Sequence, residues 1–315
     1  MKIAHISDLH LDAVNKKENL RNTLHLLEYI NSNNFDHVIV SGDITENGDS
    51  ASFELARSTF QKFGLLHKDK LSLTIGNHDI YGGVFYAEDV LNFPGKCRRT
   101  NYYQKVREFA YYFRETFYSS LQNNEYIFPY VKELDEILLC GVNSIAFYSS
   151  LKNPFASNGK ISSSNTTRLG RILETYRESR KKRIIVSHHH FNKSSGEDTV
   201  SGSTIWQAIE RQTMKLRNKK KIIKQISELK AELVLHGHLH ENREYTRKGI
   251  KFLNCGGAVL GDDKFLKLNE INVSNSTISN QIITLVKPNT ATPLQKELHF
   301  PIGLKKENIS QFCLN

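Results

Sequence analysis

The chain has 315 residues and a formal net charge of +10, from 43 Lys+Arg against 33 Asp+Glu. That length suits one large α/β domain or two small ones, and the ordinary composition argues against disorder. The cationic excess suits anionic partners, such as phosphorylated metabolites, nucleic acid or a lipid headgroup surface, and no apolar run approaches the ~18 residues of a membrane span.

In chain order, residues 2–7 read as a strand with no signal-peptide core, ending in Asp8-Leu9-His10. Leu20, Leu24, Leu27 and Ile30 follow at helical spacing over 16–32. A second strand, His37-Val38-Ile39-Val40, runs into Ser41-Gly42-Asp43, and a helix over about 50–63 presents Phe53, Ala56 and Phe60 on one face. A third strand over 71–75 runs into Gly76-Asn77-His78-Asp79, where Gly76 is expected to let the backbone turn tightly. Strand and helix alternating three times predicts a largely parallel sheet.

From 81 to about 124 the chain turns rich in Tyr, Phe and basic residues, with a helix predicted over 103–117. The simpler reading is a helical insertion whose aromatics pack on the main body. The sharper one is a cap over a substrate pocket, with Arg98 and Arg99 facing anions.

Residues 128–134 and 137–142 predict a β-hairpin, and a helix is expected to start from an N-cap at Asn165 or Thr166. Basic Arg180-Lys181-Lys182-Arg183 leads into the strand Ile184-Ile185-Val186-Ser187 and then His188-His189-His190. A polar loop over 193–203 precedes helices at about 204–213 and 219–230, with Lys219-Lys220-Lys221 read as a solvated face. Strand 232–235 delivers His236-Gly237-His238-Leu239-His240, and strands over 244–246, 251–254, 265–273 and 277–286 complete the pattern. Cys97, Cys140, Cys255 and Cys313 form no C-x-x-C pair, which argues against a disulfide framework or zinc ribbon and fits a reducing compartment, taken as the cytoplasm.

Five strand ends therefore terminate in groups able to bind metal: Asp8 and His10, Asp43, Asn77 and His78, His188, then His238 and His240. Eight of thirteen histidines fall in these motifs, too many for a set of unrelated core histidines. Imidazole and carboxylate without cysteine point to Mn, Fe, Zn or Co. Seven of these as ligands, His78 set aside, exceed what one tetrahedral ion needs, whereas two ions sharing a carboxylate account for them. Such a pair, about 3.5–4 Å apart, activates water and stabilises phosphoryl oxygens.

The ordered set D-L-H, G-D-I, G-N-H-D, S-H-H-H and G-H-L-H, spanning Asp8 to His240, resembles the calcineurin-like metallophosphoesterases. The resemblance implies an α/β fold: a four-layer αββα sandwich of two mixed β-sheets flanked by helices, with the helical insertion around 81–124. It implies that Asp8, His10 and His240 hold one ion, that Asp43 bridges, and that Asn77, His188 and His238 complete the second. His78 would act on the substrate with Asp79 orienting its ring, while His189 would line the pocket and His236 would serve as a strand residue or as a hydrogen-bond donor behind the metal ligands. With no repeat or linker in view, the expected partition is a metallophosphoesterase domain over 1–290 and a tail over 291–315.

Departures narrow the class. Ile44-Thr45-Glu46-Asn47-Gly48 lacks the arginine of the Ser/Thr protein phosphatases and the tyrosine of the purple acid phosphatases, and Asp79 stands where the former have glutamate. The pattern is most similar to cyclic-nucleotide and glycerophosphodiester phosphodiesterases. The expected partner is an anionic phosphoester. Alternative readings are a UDP-lipid pyrophosphatase, a repair-type nuclease supported by the basic clusters, and a non-catalytic scaffold. Nucleic acid is not favoured, because no DNA-binding module is recognisable.

Overall fold

The computed structural model describes residues 1–83, 87–117, 127–192 and 214–289, with the backbone alone for 87–90. The polar loop and helix expected over 193–213, the end of the insertion, the tail over 291–315 and Cys313 lie outside the described residues.

Two mixed sheets form the body. The first has the order β11-β10-β1-β2-β3, from Ile278–Val286, Phe265–Val273, Lys2–Ile6, His37–Val40 and Leu71–Leu73. Its β1, β2 and β3 are mutually parallel, with Ile3 opposite His37 and Val38 opposite Leu71. The second has the order β4-β5-β6-β7-β9-β8, from Tyr130–Glu133, Ile137–Gly141, Lys182–Val186, Leu233–His236, Ile250–Cys255 and Asn242–Arg247. Here β5, β6, β7 and β9 run parallel, with β4 and β8 antiparallel at the edges.

Successive strand side chains point to opposite faces, so each central strand of the second sheet feeds two cores. Ile137, Leu139, Ile184, Val186, Leu233 and Leu235 join the cluster shared with the first sheet and its helices α1 (Lys17–Ser32) and α2 (Ser50–Lys62). Leu138, Cys140, Ile185 and Val234 point the other way, onto Leu169, Leu173, Ile222 and Ile226. Those residues belong to α7 (Ser163–Glu174) and α8 (Lys219–Glu228). The four-layer α/β sandwich expected from the sequence is the observed architecture.

Local differences have local causes. The Ser162 hydroxyl caps α7 by accepting from the Asn165 amide, so the N-cap lies three residues before the expected Asn165 and one more before Thr166. The single helix expected over 103–117 divides at Phe113 into α5 (Tyr102–Tyr112) and α6 (Arg114–Phe117). An unanticipated helix, α4 (Ala87–Arg99), precedes them and accommodates Pro94 inside. Phe109, Phe113 and Phe117, four residues apart, pack edge-on against Phe53 and Phe60 of α2 and Tyr130 of β4. For α5 and α6 the aromatics thus pack on the body. Arg98 and Arg99 are exposed and lie outside the cleft described below. Of the lysine run, Lys220 and Lys221 face solvent, while the Lys219 ammonium turns in to donate to the Asn192 carbonyl. Among the described residues no helix is long and apolar enough to cross a membrane.

Candidate metal centre

Because β1, β2 and β3 run parallel to one another in the first sheet, as β6 and β7 do in the second, their C-terminal ends open onto one edge, where polar loops escape the apolar layers. A short helix, α3 (His78–Tyr81), starts at the end of the β3 loop. The loops zip together through their backbones. Asp8 N–H donates to Gly42 O at 3.1 Å, and His10 N–H donates to Asp43 O at 3.0 Å. The His238 amide donates to the Asp8 carboxylate at 3.0 Å. Asp8, His10, Asp43 and His238 all take left-handed backbone angles, with φ of 55°, 45°, 48° and 74°. Side chains other than glycine cost about 1–3 kcal/mol each in such conformations, which concentrate at functional sites.

Two groups of ligand-capable atoms result. In one, Asp8 Oδ1 lies 3.9 Å from His10 Nε2 and 3.7 Å from His240 Nε2. In the other, His188 Nε2 is 3.1 Å from Asn77 Oδ1 and 3.0 Å from His238 Nδ1. Asp43 stands between them. Its Oδ1 accepts from the His78 amide at 2.8 Å, leaving Oδ2 3.9 Å from His10 Nε2 and 3.2 Å from His188 Nε2. One carboxylate oxygen thus faces both groups.

The family model for calcineurin-like phosphoesterases matches residues 1–242. The chain belongs to this family. Its structure is similar to a dimetal phosphatase from Danio rerio, with a TM-score of 0.55, 9% identity, and coverage of 91% of this chain and 99% of that one. It is also similar to the purple acid phosphatase PPD1 from yellow lupin, with a TM-score of 0.55, 13% identity, and coverage of 90% of this chain and 51% of that one. At these identities the likeness concerns the fold. No curated protein matches the sequence. As a calcineurin-like phosphoesterase the chain is a phosphoric ester hydrolase of a family that uses a dinuclear metal centre.

The donor set fits such a centre. His10 Nε2 is buried with no hydrogen-bond partner, an arrangement that costs free energy unless a cation completes it. His10 Nδ1 is 2.8 Å from Glu46 Oε2, and His188 Nδ1 is 3.0 Å from the Ser41 carbonyl. Each contact turns the Nε2 of the same ring toward the centre, the usual way a phosphoesterase imidazole is oriented for a metal. Without cations the carboxylates dominate. Burial opposes charge on His10, yet Glu46, Asp8 and Asp43 hold its imidazole up at about 10. His188, likewise buried, is pushed up to about 9 by Asp43 and Asp8, whereas burial and the neighbouring histidines hold His238 well below the ordinary imidazole value.

Glu46 is the residue that the sequence reading missed. Its carboxylate meets His10 at 2.8 Å, the Lys16 ammonium at 2.8 Å and His78 Nδ1 at 3.5 Å, and all four line a cleft of about 210 Å³. Burial disfavours its charge, but His78 and His10 hold the carboxyl far below the usual carboxylate range. The signal was an acid three residues after Asp43, in a strand-end loop otherwise read for what it lacked.

Three expectations are corrected. Asp79 makes no hydrogen bond to the His78 ring, whose Nδ1 faces Glu46 instead. It accepts from the Thr45 amide and hydroxyl and the Gly76 amide, at 2.8, 2.9 and 2.8 Å, and so ties the second and third motif loops together. His189 does not line the cleft, because it is fully buried between the Ser144 hydroxyl at 2.9 Å and the Ser157 carbonyl at 3.1 Å. Gly76 is needed for close approach rather than for a turn, since a Cβ there would lie 2.0 Å from Asp43 Oδ1. His236 fills its expected place as the last residue of β7, with Nε2 2.7 Å from the Tyr245 hydroxyl.

Proposed function

We propose that this phosphoesterase hydrolyses a small-molecule phosphodiester, with Asp8, His10 and His240 holding one divalent ion, Asn77, His188 and His238 a second, and Asp43 shared between them. Two such ions, of Mn, Fe, Zn or Co, supply Lewis-acid charge and an activated water when bound. The chain's own groups do the rest. His78 reaches the cleft with its side chain 22% exposed, and Asp43 and Glu46 outweigh burial to keep its imidazole above the ordinary pKa. A cationic imidazole there donates a proton to the departing ester oxygen. Glu46 positions that ring, and Asp79 fixes the loop that carries it.

One observation carries the preference for a diester. Lys16 is the only lysine or arginine lining the cleft among the described residues, and its charge is paired with Glu46. Lysine and arginine beside the metals favour a dianionic monoester more than a monoanionic diester, because charge-assisted bonds to phosphate grow with its charge. The test compares bis(p-nitrophenyl) phosphate with p-nitrophenyl phosphate in the presence of Mn²⁺. Higher kcat/KM on the diester is expected, and the opposite order would overturn the reading. Oligonucleotide cleavage is the second reading. It draws on exposed Lys215, next to cleft-lining Met214, and on exposed Lys220 and Lys221.

A further inference from the structure

His5 of β1 and Asn269 of β10 stand directly opposite each other in the first sheet, and both are buried. The next pair on the same face is apolar, Ile3 opposite Ile271. Polar groups in such a layer cost free energy unless they find partners. Asn269 Nδ2 lies 3.2 Å from His5 Nδ1 and also donates to the Asn254 carbonyl of β9 at 3.4 Å, crossing from one sheet to the other. His5 Nε2 meets the Ser41 hydroxyl at 2.9 Å. Burial, with His236 nearby, holds the His5 imidazole neutral at about 3. With Asn269 donating to Nδ1, the single ring proton sits on Nε2 and points at Ser41.

Both ends of this chain of contacts are carbonyls beside metal-ligand candidates. Ser41 O accepts from His188 Nδ1 at 3.0 Å, and Asn254 Nδ2 donates at 3.0 Å to Leu239 O, between His238 and His240. Resting on the ligand assignment proposed above, we infer that Asn269 is a positioning residue for the dinuclear centre. Through His5 and Asn254 it holds the loop that orients His188 in register with the loop that carries His238 and His240. Asn254 and Asn269 lie beyond residues 1–242, the part of the chain that the family model matches, and outside all five strand-end motifs. Apolar contact between sheets is non-directional and sets no register, whereas hydrogen bonds do. A metal site needs that precision, since ligand distances must hold to about 0.2 Å. The loops also meet at the site itself, where the Gly237 amide donates to His188 O and the His238 amide to Asp8. Loss of Asn269 therefore loosens the ligands rather than releasing them.

The test compares the full-length wild type with Asn269→Leu, which keeps the side chain's size and removes its amide. Calorimetric Mn²⁺ affinity should fall about 10–100-fold, the usual cost of losing a group behind a metal ligand, and the d–d absorption of the Co²⁺-loaded protein should change. The single variant also leaves His5 Nδ1 without its donor and should lower Tm. His5→Leu combined with Asn269→Leu removes both polar side chains, so it should recover part of that Tm yet still bind Mn²⁺ weakly. Should the single variant fail to fold, the double variant carries the same comparison. Wild-type affinity and an unchanged Co²⁺ spectrum in either variant, whatever its Tm, would overturn the inference and leave the ligand assignment standing. Wild-type protein that takes up fewer than two ions by elemental analysis would overturn the ligand assignment, and the inference with it.

Discussion

Nε2 of His188 and Nδ1 of His238 face each other at 3.0 Å. Two imidazole nitrogens approach in this way with a proton between them or with a cation that both can ligate. In the metal-free protein the proton resides on His188, raised to about 9 by Asp43 and Asp8 against the pull of burial. Metal loading must expel it, together with the proton on His10, held at about 10. Calorimetry at pH 7 in two buffers of different ionisation enthalpy should therefore show proton release. Affinity should rise with pH until about 9 at the His188 site and about 10 at the His10 site, where each ring loses its proton unaided. Zero proton release would count against these ligands. Asp43→Asn should lower occupancy of both sites together, as read by elemental analysis.

Glu46→Gln should lower kcat by about 10–100-fold, the usual cost of losing a partner behind a metal-binding histidine. Because Glu46 also raises the His78 pKa, the variant's rate should fall at a lower pH on the alkaline side than the wild type's. A pH–rate profile distinguishes this from simple structural damage, which leaves the profile's shape unchanged.

His78→Gln should retain both metals and lower kcat by about 10²–10⁴-fold, the range for loss of a general acid. Esters with a good leaving group should suffer least, since nitrophenolate needs little protonation. Equal losses on aryl and alkyl esters would remove His78 from its proposed role.

Asp79→Asn should act on stability first. It replaces a carboxylate that accepts from Thr45 and Gly76 in a fully buried site, and losing such charge-assisted bonds costs about 1–3 kcal/mol. A lower Tm with metal affinity falling in parallel is expected; an unchanged Tm would contradict the tie between the loops.

Away from the site, Lys132 donates its ammonium to the Lys68 and Leu71 carbonyls, and burial lowers its pKa to about 7. The unfolded chain therefore binds the extra proton between pH 7 and the ordinary lysine value. The resulting penalty is full below 7 and fades as pH rises, so stability should increase from pH 7 to 10 by at most about 1.4 kcal/mol per unit. Lys132→Met should flatten that slope in urea unfolding.

The strands and their polar ends were legible because both signals are local. Apolar runs such as 37–40 and 232–235 must be buried, and a Gly next to Asp, Asn or His at their ends marks where the backbone leaves the sheet. The break at Phe113 was not legible, since helical spacing continues through it and only packing against Phe53 and Phe60 singles it out. Nor was the burial of His189, which differs from His188 only by the face onto which a one-residue step turns it.

The linear order of residues was enough to establish the ligand types, their number and the fold that delivers them, because each motif sits within a few residues of the strand that positions it. Which atoms meet was decided in three dimensions. Asp43 facing two groups at once depends on two sheets packing face to face, and Glu46 reaching His10 and His78 depends on β1, β2 and β3 lying side by side. Contacts between residues tens to hundreds of positions apart leave no period in the chain to read.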